Sequence, residues 1–288
     1  MRSPIQWFGG KGNMTAKIIP LLNSVQHSYY CEPFGGGASV LLAKTPVSLE
    51  TYNDLDSGLY DFFTTLADPE TFQQFYRRVE ALPWSRQLFN EARATWQNEP
   101  DKIKRVVLWF IIARQSFSGD FISAGWSTAV TCSKRGRADK CNSWQQALHR
   151  LPQVHERLQR VQIENKPAVD CIAQYDTPDT LFYCDPPYVL ETRSAGGYTH
   201  ELTNDQHSEL LDAILSASGS FVISGYNHPI YERLEQNGYS RIDYQTASHA
   251  SGRTRASKLQ GKGSALEHAG RVESVWLKTN DRRQARLF

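Results

Sequence analysis

The sequence predicts an α/β fold: a largely parallel sheet covered on both faces and interrupted by a mostly helical insertion. Three observations carry this. Short runs at Tyr29–Glu32, Leu49–Asn53, Leu181–Cys184, Phe221–Ser224 and Val272–Leu277 are rich in aromatic and branched residues and are bounded by turn-forming residues. Helical patterns lie between several of them, and strands that alternate with helices pair in parallel through crossovers. From about residue 60 to residue 165 the strand signals vanish and helical ones take over.

Within that stretch the pattern predicts helices over Leu59–Leu66, Glu70–Leu82, Lys102–Gln115 and Ser143–Val161. The last has Ser143 as its cap and Leu148, Leu151, Val154, Leu158 and Val161 as a buried stripe, with Pro152 splitting or kinking it. Beyond the insertion, Asp205–Ala217 puts Leu210, Leu211, Ile214 and Leu215 on one face. Pro229–Asn237 opens on Pro and is stopped by Gly238. The final DRRQARLF is a basic end expected to fray, and there is no internal repeat.

Composition excludes several classes. With 40% hydrophobic and 22% charged residues in 288, the chain is neither disordered nor fibrous. No run approaches about 18 apolar residues, and the most apolar, Val106–Ala113, is bracketed by Arg105 and Arg114, so no membrane span is expected. MRSPIQWFGGKG lacks the apolar block of a signal peptide, which favours the cytoplasm. The five cysteines form no C-x-x-C and no zinc-type grouping, so reduced thiols and no metal site are expected.

The 32 Lys and Arg against 30 Asp and Glu leave a net charge of +2, which by itself argues for no polyanion partner. The cations are local. Thr131–Lys140 holds Lys134, Arg135, Arg137 and Lys140 against Asp139, and Ala247–Ala265 holds Arg253, Arg255, Lys258 and Lys262 with no acid. Taken alone, each is equally a solvated loop.

The sharpest motif is Asp185-Pro186-Pro187-Tyr188, directly after the apolar run LFYC. Two prolines remove two backbone donors and stiffen the turn, leaving a carboxylate and a carbonyl at a strand's carboxyl end, where open α/β sheets bind ligands. That pair suits an exocyclic amino group: accepting both hydrogens turns the nitrogen lone pair out of conjugation. Tyr188 offers a flat face for a base. A second strand-turn-helix, Tyr30-Cys31-Glu32-Pro33-Phe34-Gly35-Gly36-Gly37, allows close backbone approach at a helix start. About twenty residues on, Asn53-Asp54 ends another strand in an acid placed to hold ribose hydroxyls, with Asp54 preferred to Asp56. These two features suit NAD as well as S-adenosylmethionine.

FGGK near the N-terminus, EPFGGG, NDLD and the late DPPY, in that order, resemble the Dam-type family of DNA adenine N6-methyltransferases. The resemblance covers most of the chain. It implies a Rossmann-like seven-stranded methyltransferase sheet, with residues 1–60 and 162–288 as the catalytic domain and 61–161 as a helical target-recognition insertion. It also implies S-adenosylmethionine as cofactor, double-stranded DNA as partner and base flipping. By motif, Trp7, Lys11, Phe34, Gly35, Asp54 and Asp185 would contact the cofactor, and Asp185, Pro186 and Tyr188 would carry catalysis.

On the DNA side, Arg114-Gln115-Ser116-Phe117-Ser118-Gly119 resembles the family's recognition segment. Ser118 stands where a base-reading Arg precedes the glycine, and a hydroxyl does not replace a bidentate guanine contact, so GATC is not implied. Arg114 is expected either at a phosphate or paired with an acid, Arg193 at DNA within the polar Glu191–Tyr198 loop that could close over a flipped base, and Arg253, Arg255 and Lys258 at phosphates. A monomer or weak dimer is expected, with a cognate restriction endonuclease left open. No cysteine follows a proline, as the nucleophile of a cytosine C5 enzyme would. An RNA adenine methyltransferase, a catalytically silent DNA-binding homologue and, more distantly, an NAD-dependent oxidoreductase remain as alternatives.

Overall fold

The computed structural model describes residues 1–117, 121, 125–129, 133–134, 136–192, 198–247 and 270–279. Strands run in chain order as β1 Tyr29–Glu32, β2 Leu49–Asn53, β3 Ser133–Lys134, β4 Arg137–Ala138, β5 Val161–Glu164, β6 Thr180–Cys184, β7 Ser220–Gly225, β8 Ser240–Ala247 and β9 Gly270–Lys278. The helices are α1 Thr15–Asn23, α2 Ser39–Ala43, α3 Ser57–Ala67, α4 Pro69–Glu80, α5 Arg86–Thr95, α6 Lys102–Gln115, α7 Asp139–Leu148, α8 Leu151–Leu158, α9 Ala168–Tyr175, α10 Asn204–Ser216 and α11 Glu232–Gln236.

Seven strands form one sheet in the order β5-β2-β1-β6-β7-β9-β8, and β3 pairs with β4 in a separate hairpin. The five strands from β5 to β7 are parallel. Strand β9 runs antiparallel to β7, and β8 antiparallel to β9. From β1 the chain winds outward to β2 and β5 on one side, then returns to start β6 on the other. The gap between the carboxyl ends of β1 and β6 is therefore the topological switch point, where a crevice opens.

Side-chain alternation divides the strands between two cores. Tyr30, Leu181, Tyr183, Val222 and Val275 face one buried cluster, while Cys31, Phe182, Cys184, Phe221, Ile223 and Trp276 face the other. Helices α9, α10 and α11 cover the second face through Ile172, Leu210, Leu211, Ile214 and Leu234. The first face takes α1 and α2, and its apolar cluster continues without a break into the helices between β2 and β5 through Phe62, Phe75, Trp109, Phe110 and Trp144. Helices α3, α4, α6 and α7 thus share a core with the sheet. A buried ion pair, Arg157 Nη1 to Glu50 Oε2 at 2.6 Å, also joins α8 to β2.

The stretch Ser143–Val161 is divided as expected, into α7 and α8, with Pro152 in the first turn of α8, where its missing N–H costs nothing. Two details are corrected. Ser143 is not a cap, because α7 already begins at Asp139, and Val161 opens β5 instead of extending the stripe. Strands β5 and β8 and helices α1, α5 and α9 carried weaker signals. Strand β5 is half-exposed along most of its length, and α5, RQLFNEARAT, buries only Phe89 and Ala92.

Candidate active site

At the end of β1 the chain turns through Pro33-Phe34-Gly35-Gly36. The turn is held by the end of β2. Gly35 N–H donates to Asn53 O at 2.8 Å, Gly36 N–H to Asp54 Oδ2 at 2.8 Å, and Tyr52 Oη to Gly36 O at 2.7 Å. Glycine is required at two points. A Cβ on Gly35 would lie 2.1 Å from the buried Tyr52 ring, and Gly36 has φ +48°, in the left-handed region. Asp54 Oδ1 accepts the Asp56 N–H at 2.9 Å, so both Asp54 oxygens anchor backbone while the residue lines the cavity. Burial pushes its carboxyl up to about 6, against the pull of those N–H donors. Asp56 lines the same cavity, but its Oδ1 caps α3, accepting from Gly58 and Leu59 N–H.

Across the switch point β6 is buried throughout and ends at Cys184, directly before Asp185. The ammonium of Lys11, from a short 3-10 turn over Lys11–Asn13, stands 2.8 Å from Asp185 Oδ1 and 3.5 Å from Glu273 Oε1 on β9. It donates to Gly9 O at 3.1 Å and lies 4.7 Å from the centre of the Tyr188 ring. Tyr188 Oη donates to Glu273 Oε1 at 2.9 Å, and the Tyr226 ring meets it edge-on at 4.5 Å. Burial raises Asp185 to about 6; Lys11 pulls it down and Glu273 pushes it up. Burial lowers the Lys11 pKa, but Asp185 and Glu273 outweigh this and hold it above its usual value.

These elements enclose a cavity of about 260 Å³ lined by Trp7, Lys11, Glu32, Phe34, Gly35, Asp54 and Asp185. All six residues expected at the cofactor thus meet in one place. Trp7 also packs on Trp109 of the insertion at 5.8 Å, so it serves core and cavity together. Of the turn residues, Asp185 and Pro187 line the cavity, whereas Pro186 and Tyr188 do not. Tyr188 is 6% exposed, so the open stacking face expected of it is covered by Lys11 in this state.

Sequence reasoning gave no role to Glu32 or Glu273, and placed Tyr198 only as the end of the Glu191–Tyr198 loop. Glu32, the last residue of β1, is buried, accepts the Tyr30 hydroxyl at 2.7 Å, and is pushed up to about 8 by burial. Its position just before the glycine turn was a legible signal. Tyr198 closes over the N-terminal FGG turn: its ring packs edge-on against Phe8 at 5.1 Å, and a Cβ on Gly9 would lie 2.1 Å from its hydroxyl. Glu273 had no local signal at all.

On the DNA side one expectation is corrected. Arg114 is 4% exposed, its Nη2 donates to Ser143 O at 3.1 Å and Ser143 Oγ at 2.8 Å, and no acid pairs with it among the described residues. Burial and the nearby Arg150 lower it to about 10, as expected of an internal strut joining α6 to α7. Ser118, Arg193, Arg253, Arg255 and Lys258 lie outside the described residues. No helix among the described residues is long and apolar enough to cross a membrane, and no cluster of metal-ligand residues occurs among them.

A seven-stranded sheet ending in an antiparallel pair, with a glycine turn and a buried Asp-Pro-Pro-Tyr turn facing each other across its switch point, is a Rossmann-like methyltransferase fold. A model of the D12 class N6 adenine-specific DNA methyltransferases matches residues 7–250, and the chain belongs to that family. It is an enzyme that methylates adenine in DNA. Among curated proteins, none matches at a significant level.

Proposed function

We propose that this enzyme uses S-adenosylmethionine to methylate N6 of an adenine rotated out of duplex DNA. One observation carries this: the cavity walled by the glycine turn is also lined by Asp185. The residues fit the cofactor. Three carboxyls, the buried Glu32 and the partly buried Asp54 and Asp185, sit above their usual range around one cavity, a set that favours a ligand carrying positive charge and hydroxyl groups. Asp54 would take the ribose, Phe34 and Gly35 would line the glycine turn, and Trp7 and Lys11 would face the amino-acid portion. The cofactor, when bound, supplies an activated methyl group.

The remaining chemistry belongs to the chain. Asp185, with the Pro186 carbonyl, accepts the two N6 hydrogens and directs the nitrogen lone pair out of the ring plane. With its pKa raised to about 6, Asp185 is ionised at neutral pH, yet basic enough to receive the proton that N6 gives up on methylation. Its side chain is 15% exposed, and a base stacked in a duplex cannot reach a carboxylate so enclosed, which is why the base must leave the stack.

Expression in a host free of adenine methylation, followed by sequencing that maps modified bases, tests this. N6-methyladenine at a recurring duplex sequence is expected, and it would identify the recognition site. Methylation confined to RNA, or none in DNA, overturns it. In the pure protein, Asp54→Ala is expected to weaken S-adenosylmethionine binding about tenfold or more, because it removes a charged acceptor that also anchors the Gly36 N–H. Calorimetric titration measures this, and unchanged affinity would move the ribose role to another acid.

A further inference from the structure

Two carboxylates share one ammonium at this site. Lys11 Nζ is 2.8 Å from Asp185 and 3.5 Å from Glu273, and it lies over the Tyr188 ring. An ammonium on Asp185 and against Tyr188 occupies the place that the reading above gives to the adenine amino group. The base and Lys11 therefore compete for one carboxylate, and Asp185 accepts the base only when Lys11 has another anion. Glu273 is that anion. It is 7% exposed on β9, and its Oε1 is fixed by the Tyr188 hydroxyl at 2.9 Å.

We propose that Glu273 is a positioning residue for methyl transfer: it is the alternate counter-ion that draws Lys11 off Asp185, and it holds Tyr188 in place as it does so. This rests on the assignment of Asp185 as acceptor of the amino group. A buried ammonium that has lost one partner without gaining another is strongly disfavoured, so without Glu273 it stays on Asp185. The groups that act on Asp185 are Lys11 from the N-terminal turn, Glu273 from β9, Tyr188 from its own turn, Tyr183 and Cys184 on β6, Glu32 on β1, Tyr231 just before α11, and Tyr198 through Lys11 and Tyr188. Glu273 pushes the Asp185 carboxyl upward.

Glu273→Gln keeps an acceptor for Tyr188 and removes the charge. In the ligand-free protein, the Asp185 carboxyl, followed by carbon-13 NMR and identified by its loss in Asp185→Asn, is expected to titrate at lower pH in this variant. The single-turnover rate on DNA at saturating S-adenosylmethionine is expected to fall about tenfold near neutral pH, a change of about 1.4 kcal/mol in the barrier. Its acid limb moves to lower pH with the titration. In a Lys11→Met background the rate difference between Glu and Gln at position 273 should vanish, because Glu273 acts on the rate through Lys11, while the direct repulsion between Glu273 and Asp185 still separates the two titrations.

An unmoved titration overturns the proposal even if the rate falls, since lost packing alone would do that. A shifted titration with an unchanged rate overturns it equally. If Glu273→Gln does not fold, Glu273→Asp, which draws the charge back by one methylene, is expected to move both readouts in the same direction by less. If the wild-type protein methylates no DNA, the assignment of Asp185 fails, and the positioning role falls with it. Loss of the effect in an active wild-type background sinks the role of Glu273 alone.

Discussion

Asp185→Ala is expected to cut methyl transfer about a thousandfold, the scale on which single preorganised electrostatic groups act in water-excluded sites, while leaving S-adenosylmethionine affinity within a few-fold. The two readouts separate because the proposed role of Asp185 is toward the amino group, whereas Phe34, Gly35 and Asp54 line the same cavity from the glycine turn and the end of β2. The fold should survive the change, since Lys11 keeps Glu273 and the Gly9 carbonyl as partners. Single-turnover kinetics with labelled cofactor, alongside equilibrium binding, measures both. Wild-type rates in the variant would remove Asp185 from the mechanism. The wild-type rate also carries a pH signature. Only the ionised carboxylate can accept an N6 hydrogen and then take up its proton, and its pKa is raised to about 6, so activity falls as pH drops through that value.

Gly35→Ala is the other large effect. The added methyl would lie 2.1 Å from Tyr52 Cε2, and Tyr52 is fully buried with its hydroxyl on Gly36 O, so the ring has no room to retreat. Forcing a methyl into a filled core costs about 1–3 kcal/mol, or several degrees of melting temperature in a chain of this size. Relief by moving the glycine turn instead breaks the Gly35 and Gly36 N–H bonds to β2. A lowered melting temperature together with lost cofactor binding is therefore expected. Gly12→Ala is the control, because its nearest neighbour, Ser39 Oγ, is 4.0 Å away. Equal behaviour of the two variants would show that the Gly35 contact is not what selects glycine.

The legible parts of the fold were those whose signal is local. Helix α6 matches its expected bounds because an unbroken apolar stretch follows Asp101, whose carboxylate caps the first turn. Strands β1, β2 and β6 were visible as apolar runs that end in turn residues. Strand β8, SRIDYQTA, escaped because an edge strand that pairs on one side carries charges at positions a central strand would fill with apolar groups. The break between α7 and α8 was legible as a proline, but its position was not: Pro152 fits the start of a helix as well as it interrupts one.

By itself the sequence determined which residues terminate the strands, and so which chemistry stands at the carboxyl edge of the sheet: Asp54 after β2, the glycine turn after β1 and Asp-Pro-Pro-Tyr after β6. Turn chemistry and strand period act over a few residues, so a linear reading captures them. Tertiary structure alone decided what those residues touch. Glu273 reaches the hydroxyl of Tyr188 across 85 residues of sequence, and only because β9 inserts between β7 and β8. Arg114, which in sequence reads equally as a phosphate contact, is turned inward onto Ser143 by the packing of α6 on its neighbours. Partnership between distant groups depends on strand order and burial, and no local pattern of residues encodes either.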